Sequence, residues 1–170
     1  MAAMKVYIAG PDVFRPDAPA WAESVRARCA ELGLSALIPL DGDASTPLGI
    51  YANNIDMIRI ADVVIANLNP FRGVEPDSGT CFEVGFALAL GKKVVGYVRS
   101  PEMLRDRVAR LQGRPLDVDG AFELDADGLR VENFGLPLNL MLAVPVELVA
   151  GLEQALQAIV SQNRTGLVGS

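Results

Sequence analysis

The chain contains no histidine. That excludes a Ser-His-Asp triad, an imidazole general base and a histidine-built metal site. Acid-base chemistry has to come from carboxylates, tyrosine, lysine or cysteine. Cysteine is scarce: Cys29 and Cys81 are the two present, and each falls inside a helical pattern, the setting of a buried thiol rather than of a disulfide framework or a catalytic thiol. Basic residues are outnumbered, 15 Lys and Arg against 21 Asp and Glu, for a net charge of -6. No broad surface is therefore built to neutralise a nucleic-acid backbone, and no nucleic-acid partner is expected, although a small local anion site is compatible with that balance. No apolar run reaches membrane-spanning length without a charge or a glycine breaking it, so no membrane partner is expected either. The opening MAAMKVYIAGP has one lysine before a short apolar stretch; it reads as a first core strand and not as an export signal, and the expected location is the cytoplasm.

What is present is apolar and alternating. Hydrophobic residues make up 51% of 170, enough for one domain with a sizeable core. Residues 5–9 form a compact apolar strand ended by Gly10-Pro11, and Trp21, Val25, Cys29 and Leu32 recur at helical spacing up to Gly33. A short strand at 34–38, a polar Pro/Gly-rich loop and a helix over 50–60 follow. DVVIAN at 62–67 is a continuous apolar run, as for a strand buried on both faces. A helix over 79–90, a strand over 93–98 and a helix over 101–111 with arginine-rich outer positions come next, then apolar flanks around the Asp-Gly of FELDADGLRVENFG, a small hairpin or a strand plus loop. Residues 136–159 read as mostly helical with a break near Pro145, and one domain is expected over 1–162 with a polar tail over 163–170. Strands alternating with helices predict an α/β fold, a flavodoxin-like or Rossmann-like three-layer sandwich with a central mostly parallel sheet. Ligands of such sheets bind beyond the carboxyl ends of the strands, so the loops after residues 8, 38, 66 and 98 face one crevice.

Within the stretch EPDSGTCFEVGFALALGKK, Glu83 shares a helix face with Gly79, Ala87 and Leu90, among Phe82, Val84, Phe86 and Leu88. A carboxylate in such surroundings must be paired, protonated or employed, unless it sits on the helix surface near the first turn. Asp77 is either the N-cap of this helix or a second acid beside Glu83, and two acids can divide attack and proton transfer. Gly79 would let a ligand approach the backbone. Tyr7 is a core tyrosine or a partner for that site. Gly10 and Pro11 end a strand as a ligand-facing loop would, without the spacing of a dinucleotide fingerprint. Asn53, Asn54 and Asp56 solubilise a helix or reach the crevice, whereas Asp62, at the far end of its strand, is a structural acid. Asn67 and Asn69 are turn formers near the crevice end. Phe14, Phe71 and Phe134 could wall a flat base or be plain core. Arg72 is an anion holder or a surface residue. Asn139 lies among Leu138, Leu140 and Met141, where a buried amide needs partners.

Three stretches, YIAGP at 7–11, ADVVIANLNPFRGVEPDSGTCFEVGFALALGKKVV at 61–95 and LPLNLML at 136–142, together resemble the nucleoside 2-deoxyribosyltransferase family. The resemblance implies a ping-pong exchange of bases on 2'-deoxynucleosides, with free nucleobases as the other substrate and no metal or organic cofactor. It implies Glu83 as the nucleophile that holds a covalent deoxyribosyl intermediate, Asp77 as the acid for base and sugar-hydroxyl recognition, and Tyr7 as the residue that orients the nucleophile. Asn139 is similar to an asparagine that reaches the sugar 5'-hydroxyl from a neighbouring subunit, with Met141 beside it among the substrate contacts. A dimer-based homo-oligomer, up to a hexamer, follows from that. The family's further acid, in the helix before the third strand, matches poorly: Asn54 stands at about its place, with Asn53 and Asp56 nearby. Two alternatives remain, a 2'-deoxynucleoside 5'-monophosphate N-glycosidase of the same fold, with Arg15, Arg72 and Arg99 as candidate phosphate partners, and a non-catalytic nucleotide-binding module.

Overall fold

The computed structural model describes residues 3–42 and 44–166. In chain order its elements are β1 (Met4–Ala9), a short 3-10 turn (Pro11–Phe14), α1 (Ala18–Glu31), β2 (Leu34–Leu37), α2 (Pro47–Ile60), β3 (Val63–Asn67), α3 (Ser78–Ala89), β4 (Lys93–Tyr97), α4 (Leu104–Gln112), β5 (Asp117–Asp119), β6 (Phe122–Leu124), β7 (Arg130–Val131), α5 (Leu140–Ala143), β8 (Glu147–Val149) and α6 (Leu152–Gly166). The central sheet runs β2-β1-β3-β4-β8, and every neighbouring pair is parallel. Alternation along the strands divides the core. Val6, Ile8, Ile65 and Val95 pack with Ala22, Val25 and Cys29 of α1 and Ala155, Leu156 and Ile159 of α6. Tyr7, Ala9, Val64 and Ala66 face the other way, onto Met57 and Ile58 of α2 and Val84 and Ala87 of α3. This is the expected three-layer α/β sandwich, with helices on both faces of a parallel sheet. No helix among the described residues is long and apolar enough to cross a membrane.

Three local expectations are corrected. Residues 136–159 are not mostly helical: a short helix, a strand and a second helix occupy them. Pro145 has no N–H to continue a helix, and Val146 and Leu148 turn inward while Glu147 is exposed, the period of a strand. Gly96 makes room for this segment, since a Cβ there would lie 2.6 Å from Leu68 Cδ1 and 2.8 Å from Val146 Cγ1. α2 begins three residues earlier than the periodicity of 50–60 indicates, because Thr46 caps it, accepting from Gly49 N at 3.1 Å, with Pro47 in the first turn. The arginines of α4 are not all outward: Arg107 is 3% exposed. The hairpin around Asp127-Gly128 forms between β6 and β7, with β5 added as a third antiparallel strand. Of the tail expected over 163–170, the backbone to Gly166 continues α6, and residues 167–170 lie outside the described residues.

The sheet order reverses direction at β1, so the loops after β1 and β3 diverge and leave a crevice at the carboxyl edge. Asp62, at the opposite edge, accepts from Lys5 N at 2.7 Å and serves strand pairing.

Candidate active site

A cleft of about 460 Å³ opens at that edge. Its walls come from the turn after β1 (Gly10, Val13, Phe14), the loop after β2 (Pro39 to Gly42, and Ala44), α2 (Ile50, Asn53, Asn54) and the start of α3 (Asp77, Gly79, Thr80, Glu83).

Glu83 sits in the second turn of α3, half-buried against the end of β1. The Tyr7 hydroxyl, itself fully buried, donates to Glu83 Oε1 at 2.6 Å. Burial pushes the Glu83 carboxyl up to about 7; the hydrogen bond from Tyr7 opposes that rise and the charge of Asp77 adds to it. Burial raises the Tyr7 hydroxyl far above the ordinary tyrosine range, and the charge and hydrogen bond of Glu83 raise it further, so Tyr7 remains a donor. Asp77 is both things the sequence left open. It caps α3, its Oδ2 accepting from Thr80 N at 2.9 Å and from Thr80 Oγ1 at 3.0 Å, and it lines the cleft. The carboxylate therefore stands at the positive end of a helix.

The neighbouring walls are built by close approach and by amides. A Cβ on Gly10 would lie 2.8 Å from Asn67 Cβ, so only glycine lets the turn after β1 pass the end of β3. Asn67 holds that turn, donating to Asp12 Oδ2 at 2.7 Å, and accepts from Asn69 Nδ2 at 2.6 Å. Asn53 donates to the Asp41 carbonyl at 2.5 Å. Asp41 in turn accepts from Ile38 N at 2.8 Å and pairs with Arg26, fixing the loop after β2. The Asn54 carbonyl oxygen is buried with no hydrogen-bond partner among the described residues. Phe14 lines the mouth and stacks on Phe71, ring centroids 5.6 Å apart, and Arg72 lies over both rings at 5.4 and 4.6 Å. Asp41, Leu40 and Thr80 carry no spacing signal in the sequence and were not foreseen.

Other expected residues stand elsewhere. Pro11 and Phe71 do not line the cleft, Tyr7 lies behind Glu83, and Phe134 is exposed away from it. Asn139 and Met141 line a second cavity, about 480 Å³, with Glu75, Cys81, Val84, Gly85 and Leu142. That cavity uses a different face of α3 from the one bearing Gly79, Thr80 and Glu83. Within its own chain Asn139 caps α5, accepting from Met141 N at 3.0 Å and donating to Glu132 Oε1 at 2.7 Å. Of the three arginines considered for a phosphate, Arg15 pairs with Asp17 at 2.9 Å, and neither it nor Arg72 nor Arg99 lines the cleft. Cys29 is buried and Cys81 half-buried, both as free thiols.

One arginine outside the cleft ties together three segments of the chain. Arg107 donates to the carbonyls of Val74 at 2.9 Å and of Glu102 and Pro137 at 3.1 Å. Val74 is in the loop that leads to Asp77, and Pro137 is in the segment that leads to Asn139.

Residues 6–141 match the family model for nucleoside 2-deoxyribosyltransferase. A solved 2-desoxiribosyltransferase from Leishmania mexicana is 40% identical, with 93% of this chain and 97% of that one covered at a TM-score of 0.78. An uncharacterized protein of Schizosaccharomyces pombe is 31% identical over 156 residues, 80% of this chain and 74% of that protein. A CMP N-glycosidase of Clostridium botulinum is 23% identical at a TM-score of 0.43, covering 55% of this chain and 71% of that one, a distance at which the likeness carries no argument.

Proposed function

The chain belongs to the nucleoside 2-deoxyribosyltransferase family, and from that premise we propose that it exchanges purine or pyrimidine bases on 2'-deoxynucleosides through a covalent deoxyribosyl ester of Glu83. The observation that carries the reading is the arrangement of Glu83: a half-buried carboxylate in a cleft, with one oxygen engaged by Tyr7 and a second acid, the N-cap of the same helix, lining the same cleft. With Oε1 held, Oε2 is the oxygen that attacks C1'. The glycosidic C1'–N bond breaks through an oxocarbenium-like state that the carboxylate stabilises. The two neighbouring acids share one proton, which in the reactive form sits on Asp77 while Glu83 is ionised, and the departing base takes that proton at a ring nitrogen. In the second half an incoming base attacks C1', the ester C–O bond breaks, Glu83 is restored, and the proton of the incoming base returns to Asp77. One difficult displacement becomes two easier ones.

The lining also supports a neutral substrate. Among the described residues the cleft carries carboxylates and amides but no lysine or arginine, whereas a 5'-phosphate calls for cationic or amide donors. Phe14 offers a face for the base, and Asn53 offers an amide that both donates and accepts at its edge, with Asn54 beside it on the cleft wall. Asn139, turned away from its own chain's cleft, would complete the cleft of a second subunit; the mass in solution by light scattering, at twice the chain mass or a higher multiple, is the outcome expected of that arrangement.

The test is incubation with 2'-deoxyinosine and adenine, followed by chromatography. Formation of 2'-deoxyadenosine is expected, and its loss in Glu83→Ala. Free deoxyribose as the main product would make the enzyme a hydrolase, and tight binding without turnover would make it a binding module. Near wild-type exchange by Glu83→Ala would remove Glu83 from the mechanism.

A further inference from the structure

Apart from the hydroxyls of Tyr7 and Tyr97, three polar side chains are buried among the described residues, those of Asn67, Thr80 and Arg107. Two have structural duties already described. Thr80 differs, because it also lines the cleft and its only side-chain hydrogen bond among the described residues goes to a carboxylate there. An N-cap aspartate needs just the backbone N–H of the third helical residue, and Asp77 has that bond at 2.9 Å. The hydroxyl adds a second donor at 3.0 Å to the same oxygen, Oδ2. Both donors on Oδ2 leave Oδ1 without a protein partner among the described residues. Gly79 completes the arrangement: a Cβ there would stand 3.1 Å from Asp77 Oδ2.

We infer that Thr80 is a positioning residue for proton transfer to the leaving base: its hydroxyl locks one oxygen of Asp77 and so aims the other at the base. The inference rests on the functional reading above and deepens it. In the first half-reaction the C1'–N bond breaks and its electron pair goes to the purine ring. An ordinary purine then needs the Asp77 proton, so a misaimed Asp77 slows the step. A purine already methylated at N7 carries a positive charge in the nucleoside and departs as a neutral base on receiving that electron pair. It needs no proton from the protein, and Thr80 should not matter to it.

The experiment is single-turnover release of free base from two donors, 2'-deoxyinosine and 7-methyl-2'-deoxyguanosine, by the wild type, Thr80→Val and Thr80→Ser. Valine keeps the shape and the backbone N–H of the cap and removes only the hydroxyl. Thr80→Val is expected to slow hypoxanthine release roughly 10- to 100-fold, less than the roughly 100- to 10,000-fold of a whole general acid because Asp77 is misaimed and not removed. It is expected to slow 7-methylguanine release less than about threefold, and Thr80→Ser to restore both to within about threefold of wild type. A merely structural threonine would affect the two donors alike. Equal losses on both donors, or no loss on either, overturn this inference and leave the assignment of Glu83 standing. A wild-type enzyme that releases neither base overturns the functional reading and this inference with it.

Discussion

The hydroxyl of Tyr7 on β1 and the carboxylate of Glu83 in the second turn of α3 meet at 2.6 Å, across 76 residues of chain. Tyr7 is a donor to the charged form of its partner, and its hydrogen bond holds the Glu83 carboxyl below the value that burial alone would set. Tyr7→Phe removes that donor and leaves the ring. The acid limb of kcat/KM for base exchange, which reports the free enzyme, should move to higher pH. At pH 7 the rate should fall about tenfold and recover in part by about pH 9. An unchanged limb would mean that Tyr7 packs the core without tuning the nucleophile.

The same carboxyl makes stability depend on pH in a direction opposite to that of a salt-bridged acid. Its value is raised from 4.5 to about 7 in the folded chain. A raised value means that the fold binds the proton more tightly than the unfolded chain does. Its contribution is complete below about 4.5, and is lost as pH climbs through about 7. Glu83→Gln cannot ionise and can still accept from Tyr7. It should match the wild type in urea unfolding at pH 4.5 and exceed it by roughly 3 kcal/mol at pH 8.5. A difference that is the same at both pH values would show that the carboxyl is not strained in the fold.

Asp77 combines two roles that substitution can separate. Asn caps a helix about as well as Asp does, and Ala does not. Asp77→Asn should keep the urea midpoint and lose at least about 100-fold in exchange. Asp77→Ala should lose the activity and also about 1 kcal/mol of stability. If Asp77→Asn were active, the cap would be the residue's whole function.

The division between what the residues announced and what they concealed follows the range of the forces involved. β1, β3 and β4 are runs of buried β-branched residues, legible because burial on both faces removes polar positions altogether. Glu83 was legible for the converse reason, as a carboxyl where the pattern wants none. β8 was hidden because three residues are too few to show a period of their own, and its choice rests on a long-range partner, the glycine at 96 on β4. Thr46-Pro47 was a local start signal that the apolar periodicity outweighed. Asp41 and Leu40 gain their places only through the parallel register of β2 with β1, which no short window contains. Phe14 lines the cleft, while Phe71 backs it by stacking and Phe134 does neither.

Arg107 shows how far such concealment can reach. Three backbone carbonyls from three separate segments converge on one guanidinium that is 3% exposed, and its nearest carboxylate, on Glu102, is 3.8 Å away. Hydrogen bonds from a buried charge are the stronger kind, and an acceptor stripped of its partner keeps its desolvation cost. Arg107→Met should therefore destabilise the chain by roughly 3 to 5 kcal/mol. Lysine, a point donor with no planar fork, can reach one or two of the three carbonyls and should recover a part of that. The loop that holds Val74 also sets Asp77 three residues on, so the loss should not be confined to stability. Assayed at a temperature where Arg107→Lys is fully folded, its kcat for base exchange should fall severalfold while KM changes little, because substrate binding draws on walls that Arg107 does not touch. A lysine variant with wild-type kcat would limit Arg107 to holding the fold and free the Asp77 loop from any dependence on α4.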